Sequence, residues 1–136
     1  MDRQIVQRAV DQFFTARLTN DPEAVLTLFA EGAKVRMAGD ETASEIAHQT
    51  SNAAQLRDSV INLVSTWHWS SADVSSLLID DDSAAVRYQL TATYVPSGVT
   101  VQVESMDQLY FDSAGLITQM IEFVDTAKTE QLVQQA

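Results

Sequence analysis

The stretch AAVRYQLTATYVPSGVTVQVESMDQLYF, residues 84–111, decides the fold class. In residues 84–95, apolar side chains alternate with Arg, Gln and Thr, and this period of two predicts a half-buried strand. Pro96-Ser97-Gly98 predicts a turn. Residues 99–111 then alternate again. Two long alternating segments joined by a short turn predict an antiparallel pair of strands.

The segments on both sides of this stretch also show periodic patterns. Residues 67–80 predict a long strand with a bulge at Ser70-Ser71, and residues 116–125 predict a last strand after the turn at 112–115. Three- and four-residue apolar spacing predicts helices over residues 3–18, after Asp21-Pro22, and over residues 53–65. The remaining predictions are a C-terminal residue at Gly32 for the second helix, a short strand at 33–37, no assignment for 38–52, and an irregular or helical tail at 126–136.

Helices early in the chain and a meander of strands later predict an α+β fold. We expect one domain over residues 1–136, with the N-terminal helices packed on one face of a curved antiparallel sheet.

Composition excludes several classes of function. The chain has no cysteine, so disulfide and thiolate chemistry are ruled out, which fits a cytoplasmic protein. A net charge of −11 disfavours nucleic acid and anionic membranes as partners. We find neither a signal-peptide pattern at the N-terminus nor an apolar run long enough to span a membrane.

Asp107 interrupts the apolar face of the strand at 99–111. The odd positions must face the core, because a slip of one residue would bury Gln102, Glu104 and Gln108. An inward carboxylate is costly to bury unless it is hydrogen-bonded, paired or protonated, and burial raises its pKa. Asp107 is therefore either a structural acceptor for backbone or tyrosine groups, or an acid in a functional pocket.

The hairpin that follows suggests a second acid, Glu122. If Phe111 pairs with Leu116, Met120 lies opposite Asp107 and Glu122 lies diagonal to it on the same face. Two carboxyl groups in one apolar cleft would have different pKa values, which suits one general acid and one general base. The last strand has apolar residues at both odd and even positions, so its sequence does not decide whether Glu122 points into the core or to solvent.

Aromatic side chains supply the other candidates. Tyr88 and Tyr94 lie on the inward face, and Tyr88 would donate to a ligand or to Asp107. Trp67 and Trp69 share one face, either as core aromatics with His68 outside or as a stacking wall at a pocket mouth. His48 lies in the unassigned segment, as part of a lid or simply exposed to solvent.

Two histidines without ligand spacing and no cysteine predict no metal site. The sequence also has no glycine-rich phosphate loop, no calcium loop and no GxSxG elbow, so we expect no cofactor.

Three segments resemble the NTF2-like superfamily, which includes ketosteroid isomerases, SnoaL-type polyketide cyclases and limonene epoxide hydrolase. The first runs from Asn20 to Val35, the second comprises Ser105–Phe111 with Gly115 and the strand after it, and the third is Glu122–Ala127. The resemblance implies an NTF2-like (cystatin-like, SnoaL-like) cone, a mostly apolar pocket and frequent dimers.

The resemblance also implies roles for individual residues. Asp107 falls where ketosteroid isomerases keep a protonated aspartic acid that donates to the substrate oxyanion. Their general base is replaced by Met37 and their oxyanion tyrosine by Phe13 or Phe14. For limonene epoxide hydrolase, Glu122 matches one acid, while Tyr88 and Leu90 stand in place of its arginine and other aspartate. Neither reaction is expected in its familiar form.

Three hypotheses follow for the function. The first is a cofactor-independent acid–base enzyme (isomerase, cyclase, dehydratase or hydrolase type) acting on a small hydrophobic molecule through Asp107, Glu122 and Tyr88. The second is a non-catalytic ligand-binding or accessory domain. The third is an interaction module that forms a homodimer through the outer sheet face, at Ile121, Phe123, Tyr110 and Met106. The expected ligand-binding residues are Trp67, Trp69, Met37, Met120, Tyr94, Leu90, Val103 and Phe13.

Overall fold

The computed structural model describes residues 2–39 and 49–135. The elements are, in chain order, α1 (Arg3–Thr19), α2 (Pro22–Leu26), β1 (Phe29–Met37), α3 (Ala53–Thr66), β2 (Trp67–Asp80), β3 (Ser83–Tyr94), β4 (Val99–Phe111), β5 (Ile117–Phe123) and α4 (Thr126–Gln135). His48 lies outside the described residues.

The strands form a curved sheet in the order β1-β5-β4-β3-β2. The α+β class is confirmed, and so are the three long strands, including the bulge, where the pairing register shifts between Trp69 and Ser71. One pair differs from the antiparallel expectation, because β1 runs parallel to β5. This pairing is possible because α3 and the three strands β2, β3 and β4 separate β1 from β5 along the chain, so no tight turn constrains their direction.

The second helix is shorter than predicted. Asp21 caps it as expected, accepting from the amides of Glu23 and Ala24, but the helix ends at Leu26 and β1 starts at Phe29. Gly32 therefore does not terminate a helix. It lies inside β1 with φ of 74°, where the register with β5 is irregular, and its left-handed backbone explains why glycine occupies the position.

The core lies between the helices and one face of the sheet. From α1, the side chains of Val6, Val10, Phe13 and Phe14 pack inward, and α3 contributes Leu56, Val60 and Val64. The inner face of β3 comprises Ala84, Val86, Tyr88, Leu90 and Ala92, as the alternation predicts. Within residues 2–39 and 49–135, no helix is long and apolar enough to cross a membrane.

A bulge in β5 determines which of its side chains face the core. Phe111 pairs with Ile117 and Tyr110 pairs with Gln119, so Thr118 is an extra residue in β5. The inward parity consequently changes from odd at Ile117 to even at Met120 and at Glu122. This change accounts for a strand that is apolar at both parities in the sequence.

Candidate functional site

Buried polar side chains cluster where β3, β4 and β5 adjoin the C-terminal end of α1. Asp107 is fully buried, and Arg17, Tyr88, Ser105 and Glu122 are each no more than 4% exposed. The three acidic or phenolic groups come from adjacent strands on the inner face, and Arg17 reaches them from the helix. We call these five residues the polar cluster.

Asp107 and Tyr88 form the hydrogen-bonded part of the cluster. The Tyr88 hydroxyl donates to the Asp107 carboxyl group, 3.2 Å from Oδ1 and 3.1 Å from Oδ2. Burial, and then the neighbouring Glu122, raise the pKa of Asp107 well above its ordinary value, although Tyr88 and Arg17 oppose the shift. Burial and the two acids also raise the pKa of Tyr88. Tyr88 therefore keeps its proton, and burial favours the protonated form of Asp107.

Glu122 lies directly opposite Asp107 across the β4–β5 ladder. The predicted register, which placed Met120 there and Glu122 diagonal, is wrong by two residues, because the hairpin closes one residue later and Thr118 is bulged. Directly opposed residues have Cβ atoms about 4.5–5.5 Å apart. Burial raises the pKa of Glu122 and the charge of Arg17 lowers it. Its Oε1 atom is buried without a hydrogen-bond partner.

Arg17 contacts groups from two other elements, α3 and β2. Its Nη2 donates to the Leu63 carbonyl at 3.4 Å, and its guanidinium carbon lies 4.5 Å from the ring centroid of Trp69. Asn20, the left-handed C-cap of α1, joins the helix end to β2 by donating to the Trp69 carbonyl at 3.1 Å and accepting from the Trp69 amide at 2.8 Å. Arg17 Nε and Nη1 remain buried without partners.

Two adjoining cavities meet the polar cluster. The inner cavity has a volume of about 50 Å³ and the outer cavity about 510 Å³. They share five lining residues, Met37, Leu63, Trp67, Glu122 and Thr129. The inner cavity has room for a few water-sized groups, whereas the outer one has room for the body of a small organic molecule.

The inner cavity is mostly apolar, and part of its wall comes from the C-terminal segment. Arg17, Tyr88, Ser105 and Glu122 provide its buried polar groups. The strands contribute Trp67, Trp69, Leu90, Ala92, Val101 and Val103, and the segment from Val124 through α4 contributes Asp125, Lys128, Thr129 and Leu132. A polar end in an apolar chamber is the usual composition of a small-molecule site.

The structure brings most of the sequence-predicted site residues to these cavities. Trp67, Trp69, Met37, Leu90, Val103, Tyr88 and Glu122 line the inner cavity, and Tyr94 lines the outer one. Phe13 and Met120 are core residues outside the described lining of either cavity. Asp107 also lies behind the wall, where it contacts Tyr88 rather than the open space.

Met37 stands at the position where the resemblance to ketosteroid isomerases places their general base. It lines both cavities and pairs with Glu122 across the parallel β1–β5 ladder. The carboxyl group of Glu122 thus lies on the strand next to Met37. Among the described residues, no group of three or more metal-ligating side chains could hold a metal ion.

Sequence reasoning missed Arg17 and Ser105. Arg17 continues the apolar stripe of α1 at three- and four-residue spacing from Phe14 and Phe13, and this spacing was the signal that it points inward. Ser105 lies two residues before Asp107 on the inward face of β4, and its Oγ is buried without a partner.

Comparison with known proteins identifies the family and the fold. The sequence profile of the SnoaL-like domain matches residues 10–120. The chain belongs to the SnoaL-like family, which confirms the NTF2-like resemblance. No curated protein sequence matches the chain.

Solved structures show the same fold at low sequence identity. A crystal structure of a candidate isomerase from Bacillus subtilis is 13% identical, with a TM-score of 0.82 over 100% of this chain and 98% of that one. The BvnE pinacolase from Penicillium brevicompactum is 18% identical, with a TM-score of 0.74 over 97% and 94%. SalBIII, an epoxide hydrolase/cyclase-like enzyme in pyran ring formation in salinomycin, is 20% identical, with a TM-score of 0.75 over 93% and 95%.

Proposed function

We propose that this chain is an acid–base enzyme, of isomerase or cyclase type, that acts on a small and largely apolar molecule without a cofactor. One observation carries the proposal: the polar cluster forms part of the wall of a mostly apolar cavity and holds two buried acids, one of which has a buried oxygen without a hydrogen-bond partner. Neighbours described as an isomerase candidate, a pinacolase and an epoxide hydrolase/cyclase-like enzyme support the reaction class.

The cluster carries one buried positive charge, and this limits how many acids ionise. Arg17 balances one carboxylate, and a second ionised carboxylate opposite the first would be repelled. Asp107 is the more deeply buried acid and its pKa is raised well above the ordinary value, so it is the protonated one. Glu122 lines both cavities and is the ionised one, in the position of a general base.

Tyr88 supplies the acid in this scheme. With Asp107 protonated, the contact between them can reverse, so that the Asp107 hydroxyl donates to the Tyr88 oxygen and the Tyr88 proton turns toward the cavity. Glu122 then removes a proton from the ligand while Tyr88 donates to an oxygen on it. Asp107 acts through Tyr88 and does not touch the ligand.

Removal of a proton from an apolar probe tests the scheme without knowledge of the natural substrate. In nitrobenzisoxazole, loss of the ring C–H proton to a base breaks the N–O bond and releases a coloured cyanophenolate. We expect the protein to accelerate this ring opening and Glu122→Gln to lower the rate by about 10²–10⁴-fold. Glu31→Gln, an exposed glutamate on β1, is the matched control and should retain the full rate.

Two results would contradict the proposal. One is a wild-type rate no higher than that of free carboxylate in buffer, and the other is full activity in Glu122→Gln. Retention of a bound small molecule together with either result would favour the alternative, a non-catalytic ligand-binding domain.

We also propose that the outer sheet face pairs with a second copy of the chain. Phe123 is 40% exposed on that face, beside the partly exposed Met106 and Tyr110, whereas Ile121 is already buried within the monomer. Sedimentation at micromolar concentration should give a dimer, and Phe123→Lys should give a monomer. A wild-type monomer would refute this proposal.

The lack of cysteine supports a cytoplasmic location, and the net charge of −11 supports partners other than nucleic acid and membranes.

A further inference from the structure

The walls of the two cavities have a charge balance opposite to that of the whole chain. The chain has 8 basic and 19 acidic side chains and a net charge of −11. Among the described residues, the cavities are nevertheless lined by three basic side chains, Arg17, Arg36 and Lys128, and by two acidic ones, Glu122 and Asp125. A net negative charge repels anions at long range, so a site that binds an anion has to reverse the potential locally. These walls carry the local excess of positive charge that such a site needs.

Two of the three cations lack a partner within the protein. In the part of the chain that the structure describes, the side chains of Arg36 and Lys128 form neither an ion pair nor a hydrogen bond, although acidic side chains outnumber basic ones more than twofold. The described ion pairs involve other arginines, outside the cavity walls. A negatively charged group that enters the cavities would therefore be the first ionic partner of both side chains.

The other charges of the cavity walls are already compensated. The positive charge of Arg17 lowers the pKa of Glu122, and the two side chains balance each other when Glu122 is ionised. Asp125 is exposed, and its Oδ1 accepts a hydrogen bond from the backbone amide of Lys128 at 3.0 Å in the first turn of α4. The uncompensated positive charge is thus that of Arg36 and Lys128.

Arg36 and Lys128 flank the junction of the two cavities from opposite elements. Met37 and Thr129 line both cavities, and Arg36 and Lys128 are their neighbours in the chain, on β1 and α4. Arg36 lines the outer cavity and Lys128 the inner one. Both side chains are half-buried, unlike Arg17. An ionic group bound by them keeps part of its hydration, so its binding does not incur the full desolvation penalty of a buried charge.

We propose that Arg36 and Lys128 together bind a carboxylate, and that the ligand is an amphipathic organic acid with one anionic group and an apolar body. The inference rests on the proposed function, to which it adds the charge and polarity of the substrate. The apolar end of such an acid fits the inner cavity, whose wall includes Trp69, Leu90 and Val103, and its carboxylate lies at the junction. The carboxylate serves to hold and orient the ligand and takes no part in the proton transfer to Glu122.

A pair of probes that differ only in charge provides the test. At a pH of about 7 octanoate is ionised, whereas octanamide has the same chain length and no charge. Octanoate should bind to the wild-type protein about 10-fold more tightly than octanamide, as expected for hydrogen bonds to charged groups near a surface. Trp67 and Trp69 are the only tryptophans of the chain and both line the inner cavity, so their fluorescence reports occupancy.

Substitutions at the two cations assign the preference to them. Arg36→Met and Lys128→Met should each weaken octanoate binding about 3-fold, and the double variant should bind octanoate and octanamide equally, with octanamide binding unchanged throughout. Lys128→Arg keeps the charge and should retain the preference. Lys34→Met is the matched control, because it removes the same charge from an exposed position of β1, and it should leave the preference intact.

The inference is overturned if octanoate binds no more tightly than octanamide to the wild type, if neither binds, if the preference survives in the double variant, or if Lys34→Met lowers it equally. Any of these results in a protein that opens nitrobenzisoxazole, a neutral probe, rejects the carboxylate site and leaves the proposed function standing. A preference for octanoate that disappears in the double variant supports the site, and in a protein without activity it would reject the proposed function alone.

Discussion

Replacement of Tyr88 by phenylalanine removes the only hydrogen-bond donor that the described structure provides to the buried carboxyl group of Asp107. The Tyr88 hydroxyl lies 3.2 and 3.1 Å from the two carboxyl oxygens, and both side chains are no more than 1% exposed. A buried acceptor left without its partner costs about 1–3 kcal/mol. The ring itself is retained between Phe14 and Trp69, whose centroids lie 5.0 and 5.4 Å away, so no cavity is added.

The assay is urea denaturation at a pH of about 6, with thermal unfolding as a second probe. We expect a loss of about 1–3 kcal/mol, which for a chain of this length corresponds to a fall in Tm of roughly 3 to 10 °C. Tyr110→Phe, on the outer sheet face, is the matched control and should change stability by less than about 0.5 kcal/mol.

A double-mutant cycle separates the contact from other effects of the substitution. In an Asp107→Leu background there is no buried carboxyl group to satisfy, so Tyr88→Phe should cost much less than it does in the wild type. The reasoning would be refuted if Tyr88→Phe were neutral in the wild type, or if it cost the same in both backgrounds. Under the proposed function, Tyr88→Phe should also lower the rate of nitrobenzisoxazole opening by about 10²–10⁴-fold.

Three further predictions concern stability. Because burial raises the pKa values of Asp107 and Glu122, the native state binds protons that the unfolded chain has released. The contribution of these two groups to stability is therefore fully present below their ordinary values of 3.8 and 4.5, and it is lost as pH rises through the raised values. Urea denaturation between about pH 5 and pH 8 tests this, Asp107→Asn should reduce the slope, and stability that increases with pH would contradict it. Asn20→Gly keeps the left-handed backbone but removes both hydrogen bonds to the Trp69 backbone. Calorimetry should therefore register a loss of about 1–3 kcal/mol in the free energy of unfolding. An unchanged free energy of unfolding would contradict a stabilising role for these two hydrogen bonds. Gly32→Ala should cost about 1–2 kcal/mol through its φ of 74° alone, since nothing lies within 4 Å of an added Cβ, and an unchanged urea midpoint would argue against backbone strain there.

Much of the fold could be predicted because its signals are local. The period-two alternation of residues 84–111 defines two strands and their inward faces, and the Asp21-Pro22 pair defines the start of α2. The parallel pairing of β1 with β5 could not be predicted in this way. It depends on how the whole sheet closes, and the residues of β1 alternate in the same manner for either direction.

The site residues that could be predicted are those whose direction follows from the alternation of a strand. Asp107 was assigned inward because a slip in β4 would bury three polar residues. The register of Glu122 depends on one extra residue, Thr118, and nothing in the sequence marks a bulge there. Arg17 was missed because only apolar side chains were counted in the stripe of α1, although its spacing from Phe13 and Phe14 continues that buried stripe.

The pH dependence of kcat/KM for nitrobenzisoxazole opening tests the central claim, that Glu122 is a buried base with a raised pKa, most directly. The wild-type rate should rise with pH through an inflection above the ordinary glutamate value of 4.5, because only the ionised carboxylate removes the proton. Glu122→Gln should eliminate that inflection together with most of the rate. The same inflection in Glu122→Gln, or a wild-type inflection at or below 4.5, would contradict the account.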